Sequence, residues 1–170
     1  MNVEEIIRLL DLKPLPEEGG YYKETYRSDE MIPHESLPGR YIGAKSFSTA
    51  IYYLLTPEIC SSIHRVPSEE IFHFYFGDPV TMLQLFPDGA SEVVTIGADL
   101  ALGQRPQVIV PRGVWQGACL DEGGQFALMG TTVAPGFDFS DYENGLRAPL
   151  LDKYPDRKEM IIKLTPGQCG

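Results

Sequence analysis

Apolar residues recur along this chain in two rhythms. Over residues 2–12, Val3, Ile6, Ile7 and Leu10 stand three and four positions apart, which places them on one helical face. Asn2 occupies the N-cap position and Glu5 follows three residues later, the pairing of a capping box. The pattern predicts a short helix packed on the rest of the molecule and ended by Lys13–Pro16.

From Gly19 onward the period falls to two. Tyr21–Arg27 alternates bulky and polar residues, and Ser46–Leu55 sets Thr49, Ile51 and Tyr53 on one face against Ala50, Tyr52 and Leu54 on the other. Further strands fit Ile71–Phe76, Thr81–Phe86, Ser91–Ile96, Gln107–Val110, Gly117–Leu120 and Gln125–Val133. Turn signals such as Gly77-Asp78-Pro79, Pro87-Asp88-Gly89 and Glu122-Gly123-Gly124 separate them. Short strands at such spacing predict an all-β sandwich or barrel. Beyond Pro135 the pattern turns irregular, with one helical stretch near Arg157–Leu164.

Composition narrows the function classes. With 170 residues, 43% of them hydrophobic, the chain can bury a core, and no linker divides it. A net charge of −10 and the lack of a Lys/Arg cluster exclude a nucleic-acid partner. No apolar run is long enough to cross a bilayer, and the acidic N-terminus has no signal-peptide pattern. Cys60, Cys119 and Cys169 are widely spaced, without a CxxC, and read as free thiols of a cytoplasmic protein.

The chemistry concentrates in residues 64–77. His64 and Val66 share one side of a strand, and after a tight turn Glu70, Phe72, Phe74 and Phe76 share one side of the next. A histidine and a carboxylate then meet across a hairpin over an aromatic floor. Such a pair can bind a metal, move a proton or fix a polar ligand. His73 has the opposite parity and points outward, and His34 sits in a polar, Pro-flanked surface loop.

At these residues the chain resembles the cupins. His64, Val66, Glu70 and Gly77 occupy the offsets of the first cupin motif, with valine at the second histidine. Pro111, Gly113 and Gln116 occupy the second motif, with glutamine at its histidine. The blocks Gly19–Ser28, Thr49–Leu55, Val114–Gly117 and Val133–Phe139 resemble the cupin-5 (DUF985) branch over roughly residues 3 to 143. The resemblance implies a double-stranded β-helix, a jelly-roll barrel of the RmlC-like kind, in a homodimer, and no established reaction. The chain then reads as a single cupin domain over 1–170, with helix 2–12, a barrel core over about 19–143 and an irregular segment 144–170.

Two of the four usual metal ligands are replaced. Valine cannot ligate and an amide oxygen ligates weakly, so His64, Glu70 and Gln116 would hold a divalent ion only loosely. The first functional reading is a small-molecule-binding cupin whose pocket is lined by Ser48, His64, Glu70, Trp115 and Gln116. Trp115 would stack on a flat ring while Gln116 reads its polar edge. The alternative, by analogy of fold with sugar-nucleotide epimerases, is an isomerase or epimerase of a sugar-like or nucleotide-sugar substrate with His64 as base and Tyr52 or Tyr53 as proton donor; His64 and Glu70 also read as an acid/base pair. A metal-dependent dioxygenase is a third reading, disfavoured by Val66 and Gln116.

Overall fold

The computed structural model describes residues 2–167, and Cys169, expected as a free thiol, lies outside them. The capping box forms as its spacing predicts: Glu5 N donates to Asn2 Oδ1 over 2.9 Å, and Asn2 N donates to Glu5 Oε2 over 3.1 Å. Helix α1 covers Val3–Leu10 and stops at Asp11, whose left-handed φ of 52° closes the last turn just inside the expected boundary.

The strands run in chain order as β1 (Lys13–Pro14), β2 (Tyr21–Arg27), β3 (Met31–Ile32), β4 (Lys45–Ser46), β5 (Thr49–Leu55), β6 (Ser61–Arg65) and β7 (Glu69–Gly77). After them come β8 (Val80–Leu85), β9 (Ser91–Ile96), β10 (Gln107–Val110), β11 (Trp115–Leu120), β12 (Ala127–Ala134) and β13 (Glu143–Asn144). A six-stranded sheet has the order β1-β2-β5-β12-β7-β10 and a five-stranded sheet the order β13-β6-β11-β8-β9. Their pairings are all antiparallel. This is the all-β, jelly-roll type of architecture that the strand spacing predicts.

Period-two alternation divides each strand between two environments. Tyr53, Phe72 and Met129 of the larger sheet meet Val80, Met82, Val94, Ala118 and Leu120 of the smaller one in a common core. Each large apolar side chain so buried stabilises the fold by about 1.5–3 kcal/mol. The residues of opposite parity face outward and need cover. On the larger sheet, α1 supplies it: Ile6 packs with Leu12, Leu54 and Leu128.

The smaller sheet is covered by the C-terminal segment, where a helix forms at the stretch expected near Arg157–Leu164 and a second one precedes it in chain that reads as irregular. Helix α2 (Arg147–Lys153) and helix α3 (Lys158–Lys163) place Leu150, Tyr154, Ile161 and Leu164 against Ile63, Leu83, Leu85 and Cys119. Both helices are shorter than eight residues. Their stability comes from this packing rather than from a long repeated stripe, so the sequence pattern shows α3 but carries little trace of α2.

Three bulges reset the inward parity. In β7, Phe74 pairs with Met129 and Phe76 with Leu128, so Tyr75 is an extra residue. Phe76 therefore turns to the outer face, edge-on to Phe126 at 5.9 Å, and does not floor the interior as strict alternation predicts. In β2, Glu24 pairs with Ile51 and Tyr26 with Ala50, leaving Thr25 extra. In β6, His64 pairs with Gln116 while Ser61 pairs with Ala118, so three steps on one strand match two on the other.

Candidate functional site

The two cupin-like motifs converge in the interior, by a route other than a hairpin. His64 lies on β6 of the smaller sheet and Glu70 on β7 of the larger one, and the Val66–Ser68 turn carries the chain between sheets. The expected meeting of His64 and Glu70 across a hairpin is thus replaced by a meeting across the barrel interior, through Gln116 of β11. His64, Glu70 and Gln116 are all buried.

The hydrogen bonds of this cluster determine its tautomer. His64 Nδ1 lies 2.8 Å from the Ser62 carbonyl, which can only accept, so Nδ1 carries the proton. Nε2 then accepts from the Gln116 amide nitrogen at 2.8 Å. The same nitrogen donates its other hydrogen to Glu70 Oε2 at 3.3 Å. Gln116 Oε1 has no hydrogen-bond partner among the described residues. Burial raises the Glu70 pKa above the usual carboxylate range; His64 and the Gln116 bond oppose that rise, and the nearby Glu18 adds to it.

Two further residues complete the cluster. The Tyr142 ring stacks on the His64 imidazole, centroids 4.9 Å apart and 25° from parallel. Glu18 Oε1 accepts from Ser61 Oγ at 2.9 Å, while its Oε2 stands 3.8 Å from His64 Nε2. Only the bulge in β6 lets Ser61 and His64, three residues apart, face the same interior.

Glu70 and Glu18 open onto a cavity of about 300 Å³. Two rungs of the larger sheet form its wall. One rung is Arg27–Thr49–Val133–Glu70 and the next is Glu24–Ile51–Thr131–Phe72. Thr49, Thr131 and Val133 are short side chains and leave space, whereas the following rung carries Tyr53, Met129 and Phe74 and fills the interior. The Thr25 bulge brings Glu24 and Arg27 to the same face. Arg27 holds Glu24 by a two-point ion pair at 2.7 and 3.0 Å and donates to the Phe137 carbonyl at 3.1 Å. Phe137, Asp138 and Phe139 close the cavity from above. Their loop is anchored by Lys45 and Asp141, 2.7 Å apart and both almost wholly buried.

Other sequence-predicted positions lie elsewhere. Trp115 faces outward: the Arg65 guanidinium sits 4.3 Å from its ring centroid, and the ring packs beside the cluster under α2 and α3. Adjacent strand residues alternate sides, so an inward Gln116 forces an outward Trp115. Ser48 does not line the cavity; its Oγ donates to the Val133 carbonyl at 3.1 Å, and its neighbour Thr49 faces in instead. Tyr52 stands on the outer face against Tyr75, and buried Tyr53 donates its hydroxyl to the Gly19 carbonyl at 2.9 Å. His73 bonds Thr132 Oγ1 at 3.2 Å on the outer face, as its parity predicts. Glu18, Glu24, Arg27, Thr131, Tyr142 and the 137–139 loop were not singled out as site residues. The signal that could have found Glu24, Arg27 and the 137–139 loop is their membership of the blocks Gly19–Ser28 and Val133–Phe139.

The donor set does not fit a tightly bound divalent ion. Gln116 turns its NH₂ group, a pure donor, toward both His64 Nε2 and Glu70. Among the described residues no three His, Cys, Asp or Glu side chains form a metal-binding group. Nor is any helix among them long and apolar enough to cross a membrane.

Comparison with known proteins places this geometry in a wider set. The family described as Cupin superfamily (DUF985) matches residues 4–145. The uncharacterized protein YML079W of Saccharomyces cerevisiae is 32% identical over 133 residues, 74% of this chain and 66% of that protein, just under two thirds of its length. Protein SO0799 of Shewanella oneidensis has a solved structure with a TM-score of 0.86 and 33% identity, covering 99% of each chain. A hypothetical protein from Leishmania major matches with a TM-score of 0.86 and 30% identity, over 97% of this chain and 99% of that one. Oxalate decarboxylase from Bacillus subtilis is 16% identical with a TM-score of 0.54, over 94% of this chain and 38% of that one, a likeness of fold alone.

Proposed function

Because this chain belongs to the cupin superfamily family DUF985, whose relatives named above carry no assigned activity, we propose from its own cavity that it binds a small molecule bearing a positively charged or donor-rich head. The observation that carries this reading is the composition of the cavity wall. Glu18, Glu24, Glu70 and Asp138 line it, against the single cation Arg27, which is already paired with Glu24. Phe72, Phe137, Phe139 and Ile51 supply an apolar surround for the ligand's body. A volume of about 300 Å³ stands at the small end of ligand sites, which run from about 300 to 1,000 Å³.

Glu70 is the group through which the buried cluster meets the ligand. His64 and Gln116 sit behind it and orient its carboxyl, so this reading makes them positioning residues. An isomerase acting on a nucleotide sugar would need cations for a diphosphate, and this wall offers carboxylates instead. Acid–base turnover of a cationic or neutral substrate by Glu70 remains compatible with the same site. The chain reads further as a single cytoplasmic domain that pairs into a homodimer. Support for the dimer comes from β2: among the described residues β1 pairs only with Tyr21 and Tyr22, leaving Lys23–Arg27 as an open edge.

Thermal shift tests the binding reading, because a ligand stabilises the folded state by mass action. Small aromatic and aliphatic amines should raise the midpoint, and sugar phosphates and dicarboxylates should not. Thr131→Leu, which fills the space between Ile51 and Phe72, should abolish the rise. Shifts produced by the anionic set, or shifts unchanged in Thr131→Leu, would overturn the proposal.

A further inference from the structure

The second site lies on the opposite face of the smaller sheet. Ser61 of β6 is paired with Ala118 of β11. Continuing that antiparallel register by one step sets Cys60 opposite Cys119, and both pack into the outer cluster under the C-terminal helices. Directly opposed residues of an antiparallel pair have Cα atoms about 4.5–5.5 Å apart, inside the roughly 4.4–6.8 Å span of a disulfide. Each thiol shifts the other's ionisation, and Lys163 of α3 lines the same recess as Cys119. Both cysteines are unpaired thiols here, 59 positions apart in sequence and adjacent in space.

We propose that Cys60 and Cys119 are a redox-active pair that closes to a reversible disulfide on exposure to a hydroperoxide. Cys119 is the attacking sulfur. The neighbouring Cys60 thiol and the Lys163 ammonium both hold its pKa below the usual thiol range. A recess lined by Thr81, Cys119, Asp121, Met160 and Lys163 admits a molecule as small as a peroxide. The Cys119 thiolate attacks one peroxide oxygen and the O–O bond breaks. The leaving alkoxide or hydroxide takes a proton, and Cys119 becomes a sulfenic acid. The Cys60 sulfur then attacks the Cys119 sulfur, the S–O bond breaks, and hydroxide departs with the Cys60 proton as water. The cysteine pair loses two electrons and the peroxide gains them. An external dithiol reverses the change by exchange.

The bond would tie the start of β6 to β11, the two strands that carry His64 and Gln116, at a point where no covalent link now joins them. Cys60→Ser removes the resolving sulfur and Lys163→Met removes the neighbouring charge. Neither residue belongs to the cavity wall.

The test uses the full chain and its Cys169→Ser variant, each treated with equimolar hydrogen peroxide, alkylated, digested without reductant and analysed by mass spectrometry. The expected product is a cross-linked Cys60–Cys119 peptide in both proteins, lost on adding dithiothreitol. In Cys60→Ser a dimedone adduct should accumulate on Cys119. In Lys163→Met the rate of cross-linking below neutral pH should fall about tenfold, since reactivity follows the thiolate fraction. Recovery of three alkylated cysteines from the treated full chain, or a cross-link that always includes Cys169, would overturn the proposal. So would an equal rate in Lys163→Met.

Discussion

The amide nitrogen of Gln116 lies 2.8 Å from Nε2 of His64, across the ladder between β11 and β6. A glutamine at this point satisfies an imidazole and a carboxylate at once. A second imidazole there would leave two nitrogens and the Glu70 carboxylate converging, a donor set suited to divalent transition metals. Gln116→His is therefore expected to bind cobalt(II) or manganese(II) at least about tenfold more tightly than the parent protein, a gain of roughly 1.4 kcal/mol. Isothermal titration calorimetry measures this directly. Equal affinities would show that the three side chains do not converge.

Glu70 makes stability depend on pH in a predictable direction. Burial raises its folded-state pKa above the ordinary 4.5, so the folded protein holds this proton to higher pH than the unfolded chain does. Stability from this group is intact below pH 4.5 and is lost as pH rises from there through the raised folded value. Glu70→Gln removes the titration. Its unfolding free energy should fall less steeply across that window than the parent's. Urea melts at several pH values between about 4 and 8 compare the two, and parallel curves would sink the assignment.

The Lys45–Asp141 pair anchors the loop over the cavity. Lys45→Met leaves a buried carboxylate without its partner, and Asp141 Oδ1 already has none among the described residues. The expected loss is about 3–5 kcal/mol in the urea unfolding free energy. Combining it with Asp141→Leu should recover most of that loss, because an apolar pair needs no compensation. A double variant as unstable as the single one would show that the charge pair is not what holds the loop.

Association through β2 predicts a dimer at micromolar concentration, measured by light scattering coupled to size exclusion. Thr25→Pro places a residue without an N–H at the bulge of the open edge and should shift the population toward monomer. A monomer mass for the parent protein would remove the dimer reading.

Local chemistry was legible wherever a residue's environment depended on its immediate neighbours. The Asn2–Glu5 capping box needs only a spacing of three, and the outward direction of His73 needs only the alternation of a continuous strand. The offsets that placed His64, Glu70 and Gln116 together rest on a resemblance, and the three side chains do meet. Applied to Trp115, the same alternation sends its ring outward, since its neighbour Gln116 faces the interior.

Tertiary structure decided the rest, for two physical reasons. A bulge is created by the partner strand: nothing in Tyr21–Arg27 announces that Thr25 will be unpaired, yet that extra residue turns both Glu24 and Arg27 into the cavity. The bulge at Tyr75 likewise sends Phe76 to the outer face. Short elements, in turn, are stabilised by what they cover. Helix α2 owes its form to Ile63, Leu83 and Leu85, residues far away in sequence, and Cys60 and Cys119 are neighbours only because two distant strands lie side by side. Sequence by itself determined which side chains share a face within an unbroken strand or turn of helix. Long-range pairing determined where those strands break register, and with that the walls of the cavity.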